Sequence, residues 1–372
     1  MSQKSQKSQK SQILEGSQAI AQVINLCKPE VVSAYPITPQ THIVEDLAKM
    51  DADGVSDFEF VRAESEFSAA SIVLGASAAG SRVYTATSSQ GLLLMTEVIY
   101  NIAGLGLPVV MTCANRAIGA PINIWNDQQD AYSVRDAGWI MLFAKNFQEA
   151  VDLHILAYKI AETSLLPVMV NVDGFIITHT IKEVDIPNGS LIKKFLPKIK
   201  RENILDVKNP KTFGSLVTPS DYQGMRLELN EKIKNQKSKI KIEMKNFKKI
   251  FGRELNIVSE YKTKDADTVF VITGAVYGTV VEAVNLLRKM GKKVGAIHIG
   301  LLRPFPDEDI FRALEDKKRI IVLNRAISLG AEGILTTEIK KALYGKCKTK
   351  IQDEVVGLGG RDVTVEDIVG LF

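Results

Sequence analysis

The chain has 372 residues, of which 45% are hydrophobic and 24% charged, the balance of an ordinary globular protein. That composition excludes collagen, mucin-like stalks and wholesale disorder, and the length points to two domains because single cores stop growing below it. The 47 basic and 43 acidic side chains leave a net charge of +4, too mild to make nucleic acid or an anionic membrane the main partner.

The opening residues repeat SQK three times, a polar tract that cannot bury apolar surface, which predicts a disordered tail over 1–12. Structure is expected from Ile13, where ILEGSQAIAQVINLC has helical apolar spacing. From there to about residue 180, short apolar runs alternate with helix-like stretches. The runs are VVSAY (31–35), SRVYTATS (81–88), LPVVMTCA (107–114) and LPVMVNV (166–172). THIVEDLAKM, ESEFSAASIVLGASAAG, LLLMTEVIYNIAG and FQEAVDLHILAYKIAETS read as the helices. Near-continuous apolar runs separated by helices imply right-handed crossovers and a parallel sheet covered on both faces.

Residues 185 to about 220 hold several prolines and little periodicity, which predicts an extended surface excursion. Glu231 to Arg253 then carries nine Lys or Arg against two Glu, with Ile233, Ile240, Met244, Phe247 and Phe251 on one helical face. Such a basic amphipathic helix fits an anionic partner, but a connecting helix with a solvated lysine face is the preferred reading. A second α/β unit follows, with strands TVFVITG, VGAIHIG and RIIVLNRA and helices TVVEAVNLLRKMG and EGILTTEIKKALYG. The fold class is therefore α/β with two parallel-sheet domains, residues 13–255 (linker and basic helix included, about 185–255) and 256–372.

Several segments could carry chemistry. VVSAY runs into Pro36-Ile37-Thr38-Pro39 at a strand's carboxyl end, where ligands of open parallel sheets bind. The prolines stiffen this loop, so the Thr38 hydroxyl either meets a carboxylate or phosphate oxygen or simply caps the next helix. Glu64 and Glu66 open a helix of small residues. Either complements the helix dipole, or it is buried and shares a proton with a ligand nitrogen. Ser88 to Gly91 offers amides at a helix start, a weak anion signal. Arg116, at the end of another strand, needs an anion, either a structural carboxylate such as Asp127 or Asp130 or a substrate carboxylate. The glycines of TGAVYGT (273–279) read as packing and turn residues. No two of the four histidines, His42, His154, His179 and His298, have metal-ligand spacing. The three cysteines, Cys27, Cys113 and Cys347, form no CxxC pair, so neither metal nor iron–sulfur cluster is expected on this chain. No apolar run is long enough to span a membrane and no secretory leader shows, so a cytoplasmic location is expected.

YPITP, ESEFSAAS, TATSSQGLLLM and ANRAIGAPINIWNDQQD, in this order, together with the closing GLGGRDVTVEDI, resemble the α subunit of the 2-oxoacid:ferredoxin oxidoreductases, those acting on pyruvate above all. The resemblance runs from about residue 13 to the end. It implies a pyrimidine-binding thiamine diphosphate domain followed by a transketolase C-terminal-like domain. It implies also that a β subunit supplies the diphosphate and Mg2+ site and a 4Fe-4S cluster, with γ and δ subunits or fused equivalents and ferredoxin as further partners. The reaction implied is oxidative decarboxylation of pyruvate with coenzyme A to acetyl-CoA and CO2. By motif, Glu66 corresponds to the glutamate that hydrogen-bonds the cofactor's N1′, and Thr38 and Arg116 to residues that bind the substrate carboxylate. Gln40 and the Gln128-Gln129 pair depart from the pattern and could reshape the pocket. Pyruvate is favoured over branched 2-oxoacids such as 2-oxoisovalerate; a scaffold subunit without catalysis is the remaining alternative, against which the retention of Thr38, Glu66 and Arg116 together argues.

Overall fold

A computed structural model describes residues 11–198 and 200–372. The expected tail lies outside the described residues up to position 10, and Gln12 already belongs to a strand. In chain order the strands are β1 (Gln12–Glu15), β2 (Val31–Ala34), β3 (Glu59–Arg62), β4 (Val83–Thr87), β5 (Val109–Asn115), β6 (Ile140–Phe143), β7 (Val168–Asp173), β8 (Ile181–Val184), β9 (Val258–Tyr261), β10 (Thr268–Ile272), β11 (Val294–Ile299), β12 (Leu301–Arg303), β13 (Arg319–Asn324) and β14 (Lys350–Val355). One sheet has the order β12-β6-β7-β5-β4-β2-β3, parallel except for β12. A second has the order β14-β13-β10-β11-β9, parallel except for β9. β1 and β8 form a separate antiparallel ribbon.

The central strands are the ones legible as apolar runs. Every residue of β4, β5 and β7 is buried, because helices cover both faces of the sheet. The strands missed by periodicity lie at edges or are short. β3 and β14 expose alternate or terminal residues to water, and β6 has only four residues. The stretch predicted as one helix from Leu92 breaks at Met95 into helices Ser89–Leu94 and Thr96–Gly104. Ile13, Leu14 and Glu15, expected in the first helix, form most of β1 instead, and the helix runs Gly16–Leu26.

The excursion after residue 185 contains one short helix, Gly189–Phe195, whose Phe195 is buried. The basic segment is divided at Asn235 between helices Pro219–Lys234 and Gln236–Phe251. Ile240, Met244 and Phe247 face inward, and Phe195 meets Phe247 edge-on at 5.7 Å. Its lysines turn outward or pair with acids, Lys241 with Asp309 at 2.6 Å. The segment thus buries its apolar face against the first unit and presents its lysines outward.

The two large sheets share a core. One apolar cluster joins Met111, Phe143 and Met169 of the first with Val269, Ile297 and Ile320 of the second. β12 crosses over to pair with β6, so the second unit also donates a strand to the first sheet. At the amino ends of the first sheet, Arg82 reaches Glu162 in helix Phe147–Ser164 through two hydrogen bonds of 2.5 and 2.9 Å. Both side chains are nearly buried, so removing one partner strands the other charge. Glu162→Ala should lower unfolding stability by roughly 3–5 kcal/mol in chemical denaturation. An unchanged denaturation midpoint would show that the pair contributes nothing.

Candidate functional site

The loops at the carboxyl ends of β2, β4 and β5 meet at one edge of the first sheet. The segment after β2 is held by Gln40, which is wholly buried. Its Oε1 accepts the Ile37 N–H at 3.2 Å and its Nε2 donates to the Ala86 carbonyl at 2.8 Å, tying the loop to β4. Gln40 also occupies the cap position of helix Thr41–Ala52, so the capping role considered for Thr38 falls away. Thr38 is exposed, and among the described residues its hydroxyl has no hydrogen-bond partner. Its carbonyl accepts from Arg116 Nη1 at 2.9 Å. Gly174, at the end of β7, closes the same corner, since a Cβ there would lie 2.4 Å from Pro39 Cγ and 2.5 Å from the Asn115 carbonyl.

Arg116 is therefore placed beside Thr38, two strands away in the sheet. Its Nε donates to the Asn123 carbonyl at 3.0 Å. The structural carboxylates expected for it serve other groups. Asp127 accepts from Gln129 and from the Gly359 N–H, and Asp130 takes only the backbone N–H of Arg116, at 2.9 Å. Among the described residues no carboxylate lies within ion-pair distance of this guanidinium. Burial without such a partner lowers its pKa from the ordinary arginine value.

Asp130 is the organising group that sequence reasoning reached only as a counter-ion. It is completely buried and accepts hydrogen bonds from the Ser89, Arg116 and Ala131 amides and from Asn115 Nδ2. Ser89 sits in the left-handed region with φ 47°, a conformation that costs energy outside glycine, and Asp130 helps hold it there. Burial raises the Asp130 carboxyl to about 6 against these hydrogen bonds.

Of the two glutamates, Glu66 is buried at the first turn of helix Glu66–Ala78, whose cap is Ser65. Glu64 is exposed and accepts from Ser68 Oγ at 2.5 Å. No hydrogen bond to the Glu66 carboxylate exists among the described residues. It packs beneath Gly91, where a Cβ would approach Glu66 Oε1 to 2.6 Å and Thr87 Oγ1 to 2.5 Å. The Thr87 hydroxyl beside it is also buried without a partner, as is that of the next residue, Ser88. Buried polar groups are almost always satisfied, so these atoms are open to a polar ligand. The amides of Ser88 to Gly91 form no separate anion site, because helix Ser89–Leu94 is a single short turn and its Ser89 amide is already taken. The Gln128 departure lies elsewhere, paired with Thr273 between the sheets.

Residues 22–245 match the family described as pyruvate flavodoxin/ferredoxin oxidoreductase, thiamine diphosphate-binding, and residues 266–368 match core domain II of pyruvate:ferredoxin oxidoreductase. The chain belongs to the 2-oxoacid:ferredoxin oxidoreductase family. It is 44% identical over 362 residues to the pyruvate synthase subunit PorA of Methanosarcina barkeri, covering 96% of this chain and 90% of that one. It is 43% identical over 359 residues to the ketoisovalerate oxidoreductase subunit VorA of Pyrococcus horikoshii, covering 96% and 91%. Among solved structures, a 2-oxoglutarate:ferredoxin oxidoreductase from Magnetococcus marinus superposes with a TM-score of 0.76 at 21% identity, over 98% of this chain and 65% of that one. A split-gene transketolase superposes with a TM-score of 0.57 at 14% identity, over 96% of both chains. These two likenesses establish the fold. The α/β architecture is thus the transketolase-like one of the family, and its first part is a thiamine diphosphate-binding domain. The unpartnered Glu66 carboxylate and the Thr87 and Ser88 hydroxyls fit a cofactor that offers ring nitrogens and an amino group.

Asp130 supplies a pH prediction. Its folded pKa is raised above the unfolded value, so the native state holds the proton more tightly and its contribution is fully present below about pH 4. Stability falls as pH rises through about 6. Asp130→Asn removes that titration, so the stability difference between wild type and variant should shrink by roughly 2–3 kcal/mol from about pH 4 to pH 6. A pH-independent difference in denaturation would show that Asp130 keeps an ordinary pKa.

Proposed function

We propose that this chain is the α subunit of a pyruvate:ferredoxin oxidoreductase, catalytic only with its partner subunits. The reaction converts pyruvate and coenzyme A to acetyl-CoA and CO2 and passes two electrons to ferredoxin. The observation that carries this reading is a cation and a carboxylate at one sheet end, Arg116 beside Thr38 and the buried Glu66, neither paired with a protein charge among the described residues. Residues 13–255 would form the cofactor unit and residues 256–372 the second domain.

Bound thiamine diphosphate supplies a nucleophilic carbon and an electron sink for decarboxylation. Glu66, buried at the first turn of its helix, would hold a proton at the N1′ position of the aminopyrimidine ring. Arg116 offers its unengaged N–H groups to the substrate carboxylate, a match that guanidinium geometry makes bidentate. The Thr38 hydroxyl, held in a loop fixed by Gln40, adds a neutral donor to the same carboxylate.

The rest of the cofactor site belongs to partners. Tyr35, Phe67, Leu94, Ile122, Ile124 and Trp125 leave large apolar surfaces exposed on segments around this sheet end. Such exposure marks a protein interface, here with the β subunit that would bring the diphosphate, Mg2+ and a 4Fe-4S cluster. The γ and δ subunits or their fused equivalents complete the assembly. No helix among the described residues is long and apolar enough to cross a membrane, and a cytoplasmic location is proposed. The VorA relatives, at 43% identity, keep a branched-chain 2-oxoacid as the second reading.

The reading is tested on the complex isolated without oxygen through this chain, by viologen reduction with coenzyme A and pyruvate, 2-oxoisovalerate or 2-oxoglutarate. Pyruvate should give the highest kcat/KM; a preference for the branched acid would favour the second reading. Arg116→Ala should weaken capture of the 2-oxoacid, raising KM and lowering kcat/KM by a factor equivalent to roughly 2–5 kcal/mol, the cost of removing one partner of a desolvated charge pair. An unchanged KM would remove Arg116 from the substrate site.

A further inference from the structure

The four histidines are scattered in sequence, yet the fold brings two of them together. His42 lies in the first turn of helix Thr41–Ala52 and His179 in the turn between β7 and β8, with ring centroids 4.6 Å apart. Glu15, the last residue of β1, completes the group, its Oε1 lying 2.7 Å from His42 Nδ1. One donor atom from each of the three residues falls within 4.8 Å of the other two. His154 and His298 are core residues by contrast, each wholly buried.

We propose that Glu15, His42 and His179 form a binding site for a divalent transition metal ion, with zinc as the best match. Two imidazoles and one carboxylate are the donor set that such borderline cations select over Mg2+ or Ca2+. The site does not overlap Glu66 or Arg116 and owes nothing to the thiamine diphosphate chemistry.

The geometry is close to what a tetrahedral ion needs. Metal–ligand bonds of about 2.0 Å put donors about 3.3 Å apart. The Glu15–His42 contact has to open by about half an ångström, and no donor separation has to close by more than about 1.5 Å, movements within reach of side-chain rotation.

The second imidazole is already oriented. His179 Nδ1 lies 2.7 Å from Thr178 Oγ1, which also accepts the Phe175 N–H at 2.8 Å. In the tautomer whose Nδ1–H donates to this oxygen, Nε2 is the ligand atom. Metal-bound histidines are held by such outer partners. Phe175 packs against the same ring at 4.7 Å between centroids.

Asp46 follows His42 by one helical turn and is partly buried. Its carboxyl is raised by burial first and by the Glu15 charge second, so a cation here would relieve two mutually repelling acids. A water completes the coordination. An ion so placed would tie the β1–β8 ribbon to the helix that begins directly after the Thr38 loop, and so brace that loop.

The test uses the full-length chain, freed of metal with a chelator and titrated with ZnCl2 by calorimetry, with zinc counted by elemental analysis. One Zn2+ per chain should bind, and the thermal midpoint should rise by a few degrees. His42→Ala and His179→Ala should each weaken binding by more than about 100-fold, beyond what loss of an outer partner costs, and Glu15→Gln by at least about 10-fold. Cys347→Ser should bind zinc as the wild type does. If His42→Ala loses its circular dichroism signal, His179→Gln, in a surface turn, carries the test instead. Absence of stoichiometric zinc, or binding that survives both His179 variants, would overturn the proposal.

Discussion

Asp130 has no arginine or lysine partner, yet four groups from three segments converge on its carboxylate. Ser89 comes from the loop after β4, Asn115 and Arg116 from the end of β5, and Ala131 from its own helix. Two adjacent strand ends are thereby locked at a fixed separation. Without that lock, Ser89 would relax from its left-handed conformation and Arg116 would lose its bearing on Thr38. The cost is a carboxyl buried where charge is unwelcome, compensated by hydrogen bonds rather than by an ion pair.

Around this lock the chain presents groups that its own structure leaves unfinished. Glu66 and the Thr87 and Ser88 hydroxyls are buried without protein partners among the described residues, and Arg116 is tied only through carbonyl oxygens. Unfinished polar groups beside exposed aromatic and aliphatic side chains are the expected face of a site completed by another chain. The shared core with the second sheet holds this face rigid from behind, through Gln128 and Thr273 and through the Ala275 amide on Asp173.

The central architecture was legible in the sequence because buried parallel strands are apolar throughout and helices are periodic. β4, β5, β7, β10, β11 and β13 all fall in the quoted runs. β3, β6, β9, β12 and β14 escaped because edge or short strands lack that signature. The motif residues Thr38, Glu66 and Arg116 could be named, but not their surroundings. Gln40 looked like a departure from a pattern and proves to be the strut of its loop. Asp130 could not be ranked above Asp127, since burial and the convergence of amides are properties of the fold. The meeting of His42 and His179, residues far apart in sequence, was beyond any spacing argument.

The account rests most heavily on Glu66 as a buried carboxyl group that shares a proton with the cofactor ring. The direct measurement is hydrogen–deuterium exchange at C2 of thiamine diphosphate bound to the intact complex, comparing wild type with Glu66→Gln. The amide keeps the shape of the side chain but cannot share that proton. Exchange should slow by several orders of magnitude in the variant while subunit assembly and cofactor content stay the same. Exchange at the wild-type rate would contradict the role assigned to Glu66 and with it the one-sided cofactor site.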